Sequence, residues 1–120
     1  MCQRLLNYAI AFAYMALVWY GSIAPHPIPY EGTSPSWHIF HKSLHVGGYA
    51  LMTYLWARAL PRKTQNLWIA AAIAVIYGIF MEYLQSMVPE RTAAFTDVCL
   101  DAIGATLTVL AILKRKLPII

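Results

Sequence analysis

The residues best suited to chemistry in this chain are carboxylates that stand inside strongly apolar sequence. Four of the five acidic residues fall in one stretch near the C-terminal third, namely Glu82, Glu90, Asp97 and Asp101. An ionisable side chain within an apolar, helix-length segment is costly, so each of these residues indicates a functional site. Such carboxylates could transfer protons or hold a cation.

Helical spacing groups these acidic residues with further polar side chains. Lys42, His45 and Tyr49 are spaced i, i+3 and i+7, and therefore share one face of a helix. Two more pairs follow helical spacing, Glu82 with Gln85 and Asp97 with Asp101. We expect these three faces to meet in one polar cluster, which would be hard to explain by packing alone.

Two uses of this cluster involve an anionic ligand. Lys42 and Arg91 could hold an anionic headgroup or a phosphate. His45, Glu82 and Asp97 are then candidates for general acid–base catalysis on a lipid or cell-wall precursor. The same residues could instead bind a lipid without chemistry. The sequence does not decide whether the protein is an enzyme.

Two further readings remain open. A metal site could be built from imidazole and carboxylate ligands, drawn from His41, His45, Glu82, Asp97 and Asp101. Since no established metal-ligand motif is present, we assign no metal ligand and no cofactor. The cluster could also be structural, with charge pairs that hold three helices together.

The elements that must position these residues are four apolar segments. Hydrophobic residues make up 60% of the 120 residues and charged residues 12%, against about 25% charged in soluble domains. About 20 apolar residues cross a bilayer. We therefore predict an all-α integral membrane four-helix bundle in one domain, 1–120, with helices at about 5–24, 41–60, 67–88 and 97–113. A soluble all-α bundle is the alternative.

Proline and basic residues set the connections and the orientation. Pro25 ends the first helix, and a loop is expected from there to about Phe40. Seven of the nine Lys and Arg residues fall on one side if both termini are cytoplasmic, as the positive-inside rule favours. We predict N-in, C-in topology, which places the polar cluster at the outer surface. The basic flanks then explain the net charge of +4 without nucleic-acid binding.

The two polar segments together carry a family resemblance. HKSLHVGGY followed by EYLQSMVPERTAAFTDVCLDAIG resembles the VanZ-like family of small bacterial membrane proteins. The resemblance covers roughly residues 41 to 108. The matching positions are Lys42, His45, Tyr49, Glu82, Gln85, Pro89, Arg91, Asp97 and Gly104.

The resemblance implies a location and a ligand class. It places the protein in the bacterial cytoplasmic membrane as a multi-pass protein whose site faces a lipid or lipid-linked envelope ligand. The family's named member is associated with resistance to the lipoglycopeptide teicoplanin. Tyr49, Gln85 and Asp101 would orient the groups that contact the ligand.

Three positions depart from the family pattern. His41 stands where the family usually has Asp, Asp101 where it usually has Asn, and Thr108 where a second Gly is common. Asp101 therefore adds a possible negative charge to the site. An oligomer formed through Gly47, Gly48 or Gly104 remains open, although these glycines could equally serve packing within one chain.

Overall fold

The computed structural model describes residues 2–23, 35–87, 95–115 and 118–119. The described chain forms four helices and no strand, α1 (Cys2–Ile23), α2 (Pro35–Ala59), α3 (Thr64–Gln85) and α4 (Phe95–Leu113). The predicted all-α, four-helix architecture is therefore confirmed. The side chain of His41, and residues 88–94 including Arg91, lie outside the described part of the chain.

The start of α2 differs most from the predicted boundaries. The helix begins at Pro35 rather than near His41, so the expectation of a loop reaching about Phe40 is wrong. Proline is well suited to the first turn of a helix, because its fixed φ angle fits there and its missing N–H is not needed. Pro35 therefore opens α2 and does not belong to the preceding loop, where the sequence analysis placed it.

Helix α2 lies at the centre of the bundle and contacts the other three helices. It runs parallel to α4, and the two helices approach most closely at Gly104, where an added Cβ would collide with the carbonyl oxygen of Val46. Thr108 Oγ1 lies 3.1 Å from the carbonyl oxygen of Ala50. Gly104 thus serves packing within the chain, which is one of the two roles that the sequence left open.

Helix α1 packs against α2 and α3 through aromatic and polar contacts. Trp56 of α2 makes edge-on contacts with Tyr8 and Phe12 of α1. The Tyr77 hydroxyl of α3 donates a hydrogen bond of 2.6 Å to the carbonyl oxygen of Met15. These contacts hold α1 beside α2 and α3. Near the end of the bundle that carries His45, a cavity remains between the three helices.

One end of the bundle is basic. Asn7, near the start of α1, is buried and donates a hydrogen bond to the carbonyl oxygen of Arg58 at 3.2 Å. Arg58 Nη2 in turn lies 3.3 Å from Asn7 Oδ1. Arg62 and Arg115 line a cavity at this same end. Lys42 and His45 lie at the opposite end of α2.

Large apolar side chains cover the outside of the bundle. Leu17 of α1, Leu51 of α2, Ile76 of α3 and Leu107 of α4 are each between 46% and 66% exposed. Among the described helices, α3 and α4 are long and apolar enough to cross a membrane, with mean hydropathies of 1.9 and 1.7. An apolar surface of this extent is unusual for a soluble monomer.

Candidate functional site

The site is centred on His45, whose ring lies between two aspartates of α4. Its Nδ1 lies 2.9 Å from Asp101 Oδ1, and its Nε2 lies 3.7 Å from Asp97 Oδ2. Asp97 and Asp101 are one helical turn apart on α4, so both carboxylates face α2. The parallel packing of α2 and α4 thus brings residues 56 positions apart into hydrogen-bond contact.

The contact with Asp101 has a chemical consequence for His45. Asp101 is 1% exposed, and its carboxylate oxygen can only accept a hydrogen bond when ionised. The Nδ1 of His45 is then the donor, and the other ring nitrogen, Nε2, lies on the side of Asp97. His45 is in this way oriented like the imidazole of a catalytic or metal-binding site.

Lys42 adds a positive charge at the exposed side of the His45–Asp97 pair. Its Nζ lies 4.0 Å from Asp97 Oδ1, and its side chain is 50% exposed. An ion pair at this distance and exposure is weak. Lys42 can therefore turn toward an anionic ligand at little cost.

Helix α3 contributes Glu82 and Gln85 from its last turn. Both side chains are buried, at 9% and 8% exposed. Donor atoms of His45, Glu82 and Asp97 lie within 4.8 Å of one another. Helices α2, α3 and α4 thus bring His45, Glu82 and Asp97, respectively, into one small volume.

Gly78 makes room for this cluster. A Cβ added at Gly78 would lie 2.5 Å from Asp101 Oδ2 and 3.3 Å from a ring carbon of Tyr49. Asp101 Oδ2 is buried here and has no hydrogen-bond partner within the described part of the chain. Tyr49 is itself buried, and its ring is stacked parallel to that of His45 with centroids 6.3 Å apart. Gly78 and Tyr49 thereby fix the positions of Asp101 and His45.

A cavity of about 610 Å³ opens beside the cluster, between α1, α2 and α3. Its polar end is formed by His45, Glu82 and Gln85. The remainder of its wall is mostly apolar and includes Tyr14, Leu17, Val18, Leu44, Leu51 and Met81. The volume falls within the roughly 300–1,000 Å³ typical of small-molecule sites.

Comparison with models of known protein families assigns this chain to one family. The family model described as VanZ/LLP1 matches residues 7–116. The chain belongs to the VanZ/LLP1 family. Neither the comparison with curated proteins nor that with solved structures gives a match.

The VanZ/LLP1 match confirms the resemblance inferred from the two polar segments and extends it to nearly the whole chain. Proteins of this family are membrane-associated, in agreement with the two apolar, membrane-length helices α3 and α4. Of the eight predicted site residues, the structure brings seven to one end of the bundle: Lys42, His45, Tyr49, Glu82, Gln85, Asp97 and Asp101. Arg91 lies outside the described residues, and the functional roles of all eight stay predictions.

The sequence reading missed the contribution of α1. The Tyr14 hydroxyl donates a hydrogen bond of 2.7 Å to the carbonyl oxygen of Gly48, and Tyr14, Val18 and Gly21 line the cavity. These three residues are spaced i, i+4 and i+7, so periodicity alone could have placed them on one face. Nothing in the sequence, however, relates that face to the polar cluster.

Proposed function

We propose that the chain is an integral membrane protein of the bacterial cytoplasmic membrane, with four spanning helices and both termini inside. The exposed apolar side chains on all four helices support this proposal. The arrangement of charge supports it too, because Arg58, Arg62 and Arg115 gather at the end opposite His45 and Lys42. Basic residues favour the cytoplasmic side, so the His45 site would face outward.

We further propose that this site recognises an anionic amphiphile, either a membrane lipid or a lipid-tailed envelope ligand. The observation that carries the proposal is the cavity, because one end is polar and the remaining wall is apolar. The apolar wall would hold a hydrocarbon tail, and the polar end would hold part of the headgroup. Lys42, which is half exposed and lies 4.0 Å from Asp97, and Arg91 would supply the positive charge.

A link to teicoplanin-type resistance follows from the same ligand class. Lipoglycopeptides of this type are envelope-directed and carry an acyl tail attached to a polar body. If such a tail enters the cavity, the protein would sequester or exclude the antibiotic at the outer surface. This part of the proposal rests on the family's association with resistance as well as on the cavity.

A second candidate function is a membrane-embedded hydrolase or transferase that acts on a lipid or cell-wall precursor headgroup. The hydrogen bond of 2.9 Å between Asp101 and His45 favours it, because a buried carboxylate commonly orients a catalytic imidazole. His45 would accept a proton, with Glu82 or Asp97 as the partner acid. Glu82→Gln and Asp97→Asn would then abolish turnover while ligand affinity stays largely intact.

The experiment that tests ligand recognition is native mass spectrometry of protein extracted gently with its own lipids. We expect a co-purifying anionic lipid in the wild type and its loss in Lys42→Ala/Arg91→Ala. The matched control is Arg62→Ala/Lys63→Ala, which removes the same charge at the opposite end of the bundle and should retain the lipid.

A second variant probes the apolar part of the cavity. An added Cβ at Gly47 meets no atom of the described residues within 4 Å, and Gly47 lines the cavity, so the side chain of Gly47→Leu starts in open space beside the cavity. Leucine is also the better helix former, by up to about 1 kcal/mol. We expect a folded protein without its lipid, while Ala72→Leu on the exposed face of α3 keeps it. Equal lipid content in all variants would contradict the proposal and favour the purely structural reading of the cluster.

A further inference from the structure

Three buried carboxylates lie close to one imidazole. Glu82 is 9% exposed, Asp97 5% and Asp101 1%. A buried carboxylate is costly unless a positive charge or a metal ion compensates it. His45 carries at most one positive charge, and the half-exposed Lys42 stands 4.0 Å from Asp97. A metal ion bound among these carboxylates would lower that cost.

Asp101 contacts His45 through one of its two carboxylate oxygens. Its Oδ1 lies 2.9 Å from His45 Nδ1, while its buried Oδ2 has no hydrogen-bond partner among the described residues. Metal-binding histidines usually donate the hydrogen of their second nitrogen to a carboxylate in this manner. When the ring is neutral and donates from Nδ1, Nε2 carries the lone pair that a metal ion would bind.

The separations of the donor atoms suit a single ion. A divalent ion about 2.1 Å from nitrogen and oxygen ligands in tetrahedral geometry holds them about 3.4 Å apart. His45 Nε2 and Asp97 Oδ2 are 3.7 Å apart, and one potential ligand atom from each of His45, Glu82 and Asp97 lies within 4.8 Å of the other two. A small rotation of the Glu82 side chain would complete the set.

We propose that His45 Nε2, Glu82 and Asp97 bind one divalent metal ion of the Zn²⁺ type, with Asp101 as the residue that orients His45. One imidazole and two carboxylates are hard-to-intermediate donors that suit such an ion. The three ligands come from α2, α3 and α4, so the ion would join three helices. The set differs from the one considered from the sequence, because it needs neither His41 nor Asp101 as a ligand.

The proposed ion would have an open coordination position. Two of its ligands, His45 and Glu82, also line the apolar cavity. A site with three protein ligands leaves a position for water or another oxygen ligand. The metal site does not depend on which ligand occupies the cavity, and a failure of either proposal leaves the other standing.

The test measures metal binding to the purified, full-length protein. Cys2 and Cys99 are first replaced by alanine so that no thiolate contributes, and bound metal is removed with a chelator. Isothermal titration with Zn²⁺ and the visible absorption of Co²⁺ are then recorded. We expect one ion per chain in this background, loss of saturable binding in His45→Ala and Asp97→Asn, and about tenfold to hundredfold weaker binding in Asp101→Asn.

Asn7→Ala is the matched control for lost stability. Asn7 is a buried, hydrogen-bonded residue at the opposite end of the bundle, so its removal should weaken the fold and leave metal binding intact. Zn²⁺ should also raise the melting temperature of the Asn7→Ala protein but not that of Asp97→Asn. Absence of saturable binding in the background protein, or binding that survives both His45→Ala and Asp97→Asn, would overturn the proposal.

The lipid content of the same preparations separates this proposal from the one on ligand recognition. Co-purifying lipid without metal binding would reject the metal site alone. Metal binding without a specific lipid would reject the ligand proposal alone.

Discussion

At the scale of single residues, the site depends on one hydrogen-bonded pair. Asp101 is almost wholly buried, and its contact with His45 satisfies one of its two oxygens. The VanZ-like pattern that the sequence resembles usually has Asn at this position, and an Asn side chain carries an amide oxygen but no charge. The substitution therefore changes the charge next to His45 while leaving an acceptor available for Nδ1.

Removal of His45 should expose the cost of that buried carboxylate. His45→Ala leaves Asp101 without its hydrogen-bond donor, and we expect the free energy of unfolding to fall by about 3 kcal/mol. The double variant His45→Ala/Asp101→Asn should recover part of this loss, because a neutral amide is less costly to bury than a carboxylate. Reversible denaturation in detergent measures both. A double variant no more stable than His45→Ala would contradict this account.

At the scale of helices, two glycines let helices approach where the site is built. Gly104 allows α4 to lie directly against the backbone of α2 at Val46, and Gly78 leaves space for the Asp101 carboxylate. Gly48, which the sequence suggested as a point of close packing, contacts the Tyr14 hydroxyl of α1. Gly47, suggested for the same role, lines the cavity, and an added Cβ there meets no described atom within 4 Å. Glycine in these helices thus serves close packing at some positions and empty volume at others.

These roles predict opposite effects of the same substitution. Gly104→Ala forces a Cβ against the Val46 carbonyl and should destabilise the protein by about 1–3 kcal/mol. Gly47→Ala adds a Cβ in open space and should be neutral or stabilising, by up to about 1 kcal/mol. Thermal denaturation of the two variants in one detergent provides the comparison. Similar melting temperatures for both would mean that α2 and α4 do not pack as described.

At the scale of the whole molecule, the charged and polar groups divide between two ends. Asn7, Arg58 and Arg62 mark one end, and Lys42 and His45 mark the other. The flanks of the helices between them are apolar and exposed. This division is what the proposed orientation in the membrane would require.

Cysteine labelling on intact cells tests that orientation. In a background of Cys2→Ala/Cys99→Ala, Thr96→Cys places a thiol at the start of α4 and Lys63→Cys places one before α3, and both positions are exposed. A membrane-impermeant maleimide should label Thr96→Cys directly and Lys63→Cys only after permeabilisation. The reverse pattern would invert the topology and place the His45 site in the cytoplasm.

The sequence by itself determined the number of helices and the identity of the polar residues. Apolar segments of helix length, interrupted by proline and by basic turns, leave few alternatives to four helices. Helical spacing also placed Lys42 with His45, and Asp97 with Asp101, on common faces. These are local properties, because they depend on residues within one or two turns of each other.

Only the tertiary structure decided how those faces meet. The contact of His45 with Asp101 rather than Asp97 at Nδ1 depends on the rotation and register of α2 against α4. The cavity likewise depends on the packing of α1, whose Tyr14 reaches Gly48 across 34 positions of sequence. Rotation and register are set by packing between segments that are distant in sequence, such as Gly104 against Val46. Helical periodicity within one helix does not indicate which other helix it packs against.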